Sequence, residues 1–218
     1  MTTSSPPAQG FDGAAVSGGL YTDVTEFARD TPWLNEPAEL YSAFGMGVFV
    51  IFGLMVWWRA RHQGNAVMAA VLAIPFAVVI AYAVNSGLKN IFQEQRPCRA
   101  LPGSFLIEEC PPLDDYAFPS NHTTVAVAFA VGLLVVSRWI GAVALLAAVA
   151  MGASRVYVGA HYPHDVAAGA LVGTVVTLLV ILAARMFAVS FVGRLRTGAL
   201  APLLAAPGAA TGRPARAR

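Results

Sequence analysis

The sequence predicts an all-α fold: a polytopic membrane bundle of about five transmembrane helices with a short N-terminal interfacial helix. Three observations carry that prediction. The 218-residue chain is 57% hydrophobic and only 12% charged, with a mean hydropathy of +0.63, whereas soluble domains carry about a quarter charged residues. Its apolar residues come in runs near the ~20 residues that cross ~30 Å of hydrocarbon, not in the alternation of a membrane barrel. Its charges gather between those runs. The same figures exclude disorder, collagen and a disulfide-built scaffold. A formal charge of +2 is too small to point to nucleic acid.

Residues 1–18 are polar, carry Gly and Pro, and read as disordered. They have neither a positive n-region nor an apolar h-region, so no cleavable signal peptide is expected. Leu20, Val24 and Phe27 recur at i, i+4 and i+7 with Asp23, Glu26 and Asp30 elsewhere. That spacing predicts an amphipathic interfacial helix ended by Pro32; a loosely packed leader is the alternative. These elements make up an N-terminal unit, 1–38. The membrane domain, 39–192, holds five apolar stretches: Leu40 to Trp58, Ala66 to Gly87, Ser120 to Val136, Trp139 to Gly159, and Val166 to about Phe187. Each must satisfy its backbone groups internally, which calls for helices. The basic tail, 193–218, is Ala, Pro and Gly with scattered Arg beyond Leu200 and is expected to lack a fold.

Orientation follows from the cations. Arg59 and Arg61 follow the first stretch, Arg138 the third, and Arg194, Arg196, Arg213, Arg216 and Arg218 the fifth. The positive-inside rule makes those regions cytoplasmic, with the N-terminus and the loop from Gln93 to Phe118 outside. All 12 Asp and Glu residues fall on that outer side or at its boundary. Cys98 and Cys110 share the outer loop, where a disulfide can persist; two free thiols are the other reading.

The informative anomaly is a set of ionisable residues at span ends facing one side. Lys89 and Arg96 stand in KNIFQEQRP, Pro119 to His122 form PSNH, and SRVYVGAHYPHD carries Ser154, Arg155, His161, His164 and Asp165. Lys89, Arg96 and Arg155 have no acidic partner in the pattern and would repel one another unless they hold a multiply charged anion. Phosphate fits, with the Arg fork matching its oxygens and Lys adding a point charge. The third span's start adds free N–H groups and a helix dipole around Ser120 to His122, and Asn121 suits a tight, left-handed backbone there. His161 can attack phosphorus if Asp165, four residues on, holds its other ring nitrogen. His122 can protonate the departing oxygen and later take a proton from water. No metal or other cofactor is required.

KNIFQEQRP, PSNH and SRVYVGAHYPHD together resemble the tripartite signature of the type 2 phosphatidic acid phosphatase superfamily. That signature is Lys, six residues, Arg-Pro; Pro-Ser-Gly-His; and Ser-Arg, five residues, His, three residues, Asp. The spacing matches throughout from Lys89 to Asp165, with Asn121 in place of the usual Gly. The resemblance implies a helical, metal-independent phosphatase working through a phosphohistidine. His161 would be the nucleophile, Asp165 its orienting partner and His122 the acid. Lys89, Arg96, Ser120 and Arg155 would bind phosphate, with the Asn121 amide. Family members often have six spans; five are counted here.

A site at span ends suits a lipid phosphate whose tail stays in the bilayer. The short outer loops and compact chain resemble bacterial members acting on polyprenyl diphosphates. Phosphatidic acid, phosphatidylglycerophosphate and polyprenyl-phosphate sugar phosphates are the alternatives. The partners expected are therefore a lipid phosphate substrate and the bilayer, with no obligate protein partner, in a bacterial plasma membrane with the site outside and the C-terminus cytoplasmic. A non-catalytic lipid-phosphate binder would need only the cations, and vanadate-dependent haloperoxidases, which resemble the same signature, are soluble. A metal set of His122, His161, His164 and Asp165 leaves the cations unexplained. His164 is expected at the rim.

Overall fold

The computed structural model describes residues 11–205. The expectations for residues 1–10 and for the end of the tail, with Arg213, Arg216 and Arg218, lie outside them. The described residues form helices joined by loops: α1 (Gly13–Asp30), α2 (Pro32–Phe44), α3 (Met46–Ala60), α4 (Asn65–Phe92), α5 (Pro97–Ala100), α6 (Asn121–Val136), α7 (Arg138–Tyr157), α8 (Pro163–Ala183), α9 (Val189–Thr197) and α10 (Ala201–Leu204). A π turn, Ala184–Ala188, joins α8 to α9.

The centre is α6, packed against α4, α7 and α8. Glycines let the backbones close on it. A Cβ on Gly169 or Gly173 of α8 would stand 2.6 Å from the Ser120 carbonyl oxygen or 2.5 Å from that of Thr124, the close approach that small residues give membrane helices. The buried core of Phe49, Met68, Ile74, Leu133 and Met151 is apolar. Phe76, Trp139, Leu146, Leu171 and Phe187 face outward at 65–85% exposure, as a surface solvated by hydrocarbon allows.

Among the described residues, three helical stretches are long and apolar enough to cross a membrane, Asn65–Ala100, Arg138–Tyr157 and Pro163–Thr197. The first predicted span is not one straight helix. It divides at Gly45 into α2 and α3, bent by 52°, and the chain is so close there that a Cβ on Gly45 would meet the Tyr41 carbonyl at 2.4 Å and Met151 at 2.8 Å. At 16 residues, α6 is shorter than α4, α7 and α8, the helices packed around it.

Both ends carry more structure than expected. α1 begins at Gly13 instead of Leu20, because Asp12 accepts the Ala15 N–H as an N-cap at 3.3 Å. Pro32 does follow the end of α1, and it also opens α2 at its first position, where a missing N–H costs nothing. In the tail, Ala201–Leu204 form a helical turn, which the Arg61 guanidinium holds by donating to the carbonyls of Pro202 and Ala205 at 2.7 and 3.3 Å.

Candidate active site

Four chain turns bring the polar residues to one end of the bundle. α4 stops at Gln93, left-handed at φ 48°, leaving Lys89 in its last turn and directing the chain through Glu94 to Arg96. Ser120 caps α6, and its backbone N–H donates to the Asp165 carbonyl at 3.1 Å. α7 ends at Tyr157, just beyond Arg155. Gly159 then turns the chain at φ 86°, a conformation open to glycine, and sends His161 back under Arg155. Pro163 opens α8 and Asp165 lies in its first turn.

His161 is 2% exposed, with both ring nitrogens engaged. Nδ1 lies 3.2 Å from Asp165 Oδ2, and Nε2 lies 3.0 Å from Arg96 Nη1. A guanidinium only donates, so Nε2 is the acceptor and Nδ1 carries the proton toward the carboxylate. Burial first, and then the charges of Arg96, Arg155 and Lys89, hold the His161 pKa well below the ordinary histidine value. The ring is therefore neutral, with its lone pair on Nε2.

The three cations are buried, and they are not unpaired as the sequence pattern suggested. Lys89 Nζ donates to Asp115 Oδ1 at 2.8 Å and the Tyr116 carbonyl at 2.6 Å. Arg96 binds the other Asp115 oxygen at 2.8 Å and the Ala160 carbonyl at 2.9 Å. Arg155 donates to Glu108 Oε1 at 2.6 Å and to Ser42 Oγ of α2; its Nε is buried with no partner. Burial raises the Asp115 carboxyl, but hydrogen bonds and charge from Lys89 and Arg96 outweigh it, so its pKa lies below the usual value. Both acids come from the loop between α5 and α6, and a disulfide ties Cys110 of that loop to Cys98 of α5, with Cα atoms 6.0 Å apart. Their carboxylates lie where a phosphate would meet the same guanidinium and ammonium groups.

Ser120 is fully buried and accepts from the Thr123 hydroxyl at 3.2 Å. Asn121 is the first residue of α6 and not left-handed. Its Oδ1 accepts from Asn85 Nδ2 at 2.6 Å, a bond a glycine could not make, so the side chain and not the backbone accounts for Asn here. His122 is partly buried, in the field of Arg155 and Glu108.

His164 is not at the rim. Its Nε2 lies 3.1 Å from Glu94 Oε1 and 3.3 Å from Asp165 Oδ1, and its Nδ1 lies 2.7 Å from Ser17 Oγ. Glu94, His164 and Asp165 present ligand-type atoms within 4.8 Å of one another, and the His164–Glu94 separations are those of hydrogen bonds. Ser42, Asn85, Glu94, Glu108 and Asp115 were all missed from the sequence. Charge balance offers a signal for two of them, Glu108 and Asp115, since buried cations need partners. Ser42 and Asn85 carry no such signal.

A family model described as the PAP2 superfamily matches residues 70–188. The chain is 33% identical over 160 residues to the bacitracin transport permease protein BcrC of Bacillus licheniformis, covering 72% of this chain and 75% of that one. It is 28% identical over 166 residues to an undecaprenyl-diphosphatase of Sulfolobus acidocaldarius, covering 76% and 69%. The crystal structure of Aquifex aeolicus LpxE superposes with a TM-score of 0.62 at 23% identity, over 77% of this chain and 95% of that one. A phosphatidylglycerolphosphate phosphatase from Bacillus subtilis gives 0.54 at 23% identity, over 77% and 88%. The two structures share its fold.

Proposed function

The chain belongs to the PAP2 superfamily and is a phosphoric ester hydrolase, and from that premise we propose that it is an integral membrane lipid phosphatase removing the terminal phosphate of a polyprenyl diphosphate. The observation that carries the reading is His161, buried and neutral, with Nδ1 on Asp165 and its Nε2 lone pair beside Arg96. The names of two relatives supply the substrate class: an undecaprenyl-diphosphatase and a bacitracin transport protein.

In this reading the terminal phosphate displaces Asp115 and Glu108 and takes up Lys89, Arg96 and Arg155, with Ser120 and the Asn121 amide at the positive end of α6. His161 Nε2 forms a bond to phosphorus as the bond to the bridging oxygen breaks, and His122 gives that oxygen its proton. Asp165 steadies the cationic phosphohistidine. Water, deprotonated by His122, then attacks the phosphorus, releasing phosphate and restoring His161. No metal takes part.

The bilayer arrangement belongs to the same proposal. α2 with α3, α4, α6, α7 and α8 make five crossings, with α1 at the interface. Arg59, Arg61, Arg138, Arg194 and Arg196 gather at the far end, which the positive-inside rule makes cytoplasmic. The site then faces outward from a bacterial plasma membrane, and residues 39–192 are the phosphatase domain.

The test is phosphate release in EDTA from polyprenyl diphosphate, polyprenyl phosphate, phosphatidic acid and phosphatidylglycerophosphate. Release with polyprenyl diphosphate ranked first, and acid-labile label trapped on His161, is expected. Inactivity in EDTA restored by a divalent cation overturns the metal-free reading, and a different first-ranked lipid overturns the substrate.

A further inference from the structure

Asp165 is held on one side only. Its Oδ2 faces His161 Nδ1 at 3.2 Å and accepts from the Tyr162 backbone N–H at 2.9 Å. Its Oδ1 is buried and has no hydrogen-bond partner. The nearest donor is His164 Nε2 at 3.3 Å, and that nitrogen also faces both oxygens of Glu94, at 3.1 and 3.2 Å. Glu94 is 1% and Asp165 0% exposed. Two buried carboxylates flanking one imidazole are costly unless the ring supplies a donor between them.

The surroundings are shaped to keep that ring in place. Tyr162 and Phe118 stack on it at 5.4 and 5.8 Å, and Phe11 meets it edge-on at 5.7 Å. Ser17 leaves helical geometry inside α1, at φ −145° and ψ 26°, and its hydroxyl reaches His164 Nδ1 at 2.7 Å. Gly13 of the same helix has no room for a side chain, since a Cβ would stand 1.7 Å from Glu94 Oε1. The first helix is thus fitted around the Glu94–His164 pair, which none of the phosphate-binding or proton-transfer steps uses.

We propose that His164, braced by Glu94 and by Ser17 of α1, is a positioning residue that holds the Asp165 carboxylate in line with His161. The inference rests on the phosphohistidine reading above. His164 touches neither substrate nor reacting atoms. Its ring edge lies against the free oxygen of the carboxylate that orients the nucleophile, and Glu94, bonded to the same Nε2, keeps the ring there. The charged and titratable groups facing the ring are Glu94 from the α4–α5 connection, Asp165 from α8 and the Tyr162 phenol. α1 contributes only the neutral Ser17.

The test is a double-mutant cycle on turnover of polyprenyl diphosphate by the full-length protein. His164→Ala should lower kcat about 10- to 100-fold, as losing an outer partner of a working histidine does elsewhere, with KM and orthovanadate inhibition within twofold. His164→Gln, which keeps a donor near the Nε2 position, should recover most of the loss. In an Asp165→Asn background, His164→Ala should cost nothing further, because the residue acts only through Asp165. Glu94→Gln, nearly isosteric, should reproduce part of the loss if His164→Ala proves too unstable to purify. Equal cost in both backgrounds, or no rescue by Gln, overturns the proposal. Loss on Asp165→Asn with none on His164→Ala overturns this inference alone, whereas full activity of Asp165→Asn removes the reading beneath it.

Discussion

Arginines are buried at both ends of the bundle, and their partners differ. At the site end, Arg96 and Arg155 bind the carboxylates of Asp115 and Glu108. At the far end, Arg196 donates to the carbonyls of Gln63 and Arg61 at 2.7 and 2.9 Å and to Asn65 Oδ1 at 3.1 Å. Arg61 lies over the Trp58 ring at 4.4 Å. Carbonyls are fixed neutral dipoles that belong to the α3–α4 turn, so Arg196 closes that turn as a staple. A loop carboxylate is a charge that another anion can replace. Burial of a cation is therefore no sign of a site; an exchangeable anionic partner is.

Four substitutions sharpen or break that contrast. His161→Ala should remove turnover, by about 10⁴-fold or more on the pattern of a lost nucleophile, while orthovanadate still protects the protein against thermal unfolding; residual rates near normal would end the nucleophile assignment. Arg155→Ala should lower kcat/KM by about 10²- to 10³-fold and weaken vanadate inhibition along with it; unchanged inhibition would make Arg155 a staple like Arg196. Arg196→Ala should instead leave KM and kcat alone and cost about 1–3 kcal/mol of stability, the penalty of buried carbonyls left unpaired, read as a lower melting temperature. Asp115→Asn should have the smallest effect. Removing a competitor for Lys89 and Arg96, it should tighten inorganic phosphate inhibition severalfold, and weaker inhibition would show that Asp115 assists binding.

The pH profile tests the same end of the molecule. His161 is neutral in the free protein because its pKa is lowered, and only the neutral ring has a lone pair to use. Activity should therefore persist below about pH 6.5, where a free histidine is half protonated. An acid limb in kcat/KM at or above that value would show the ring to be unshielded.

Much of this was legible in the sequence, for physical reasons. Lys89, Arg96, Ser120, His122, Arg155, His161 and Asp165 stood out because ionisable groups at the ends of apolar runs have few explanations. The helices α4, α7 and α8 stood out because backbone in hydrocarbon has few options. What stayed hidden depends on close approach. The bend at Gly45 lies against Met151, more than a hundred residues away in the chain, and no local pattern announces that approach. The start of α1 at Gly13 depends on Asp12 and on Glu94 filling the space a side chain would need. His164 was misread because its partners, Glu94 and Ser17, meet it only in the folded chain.

The shortness of α6 has a consequence for the depth of the site. Its 16 residues rise about 24 Å at about 1.5 Å each, some ~6 Å less than an average hydrocarbon core. In the bilayer arrangement proposed above, the Ser120 end of α6 stops short of one headgroup plane. Because α4, α7 and α8 pack around α6, the protein and not the lipid takes up the difference. A phosphate held at the Ser120 end would then lie below the plane of its neighbours' headgroups.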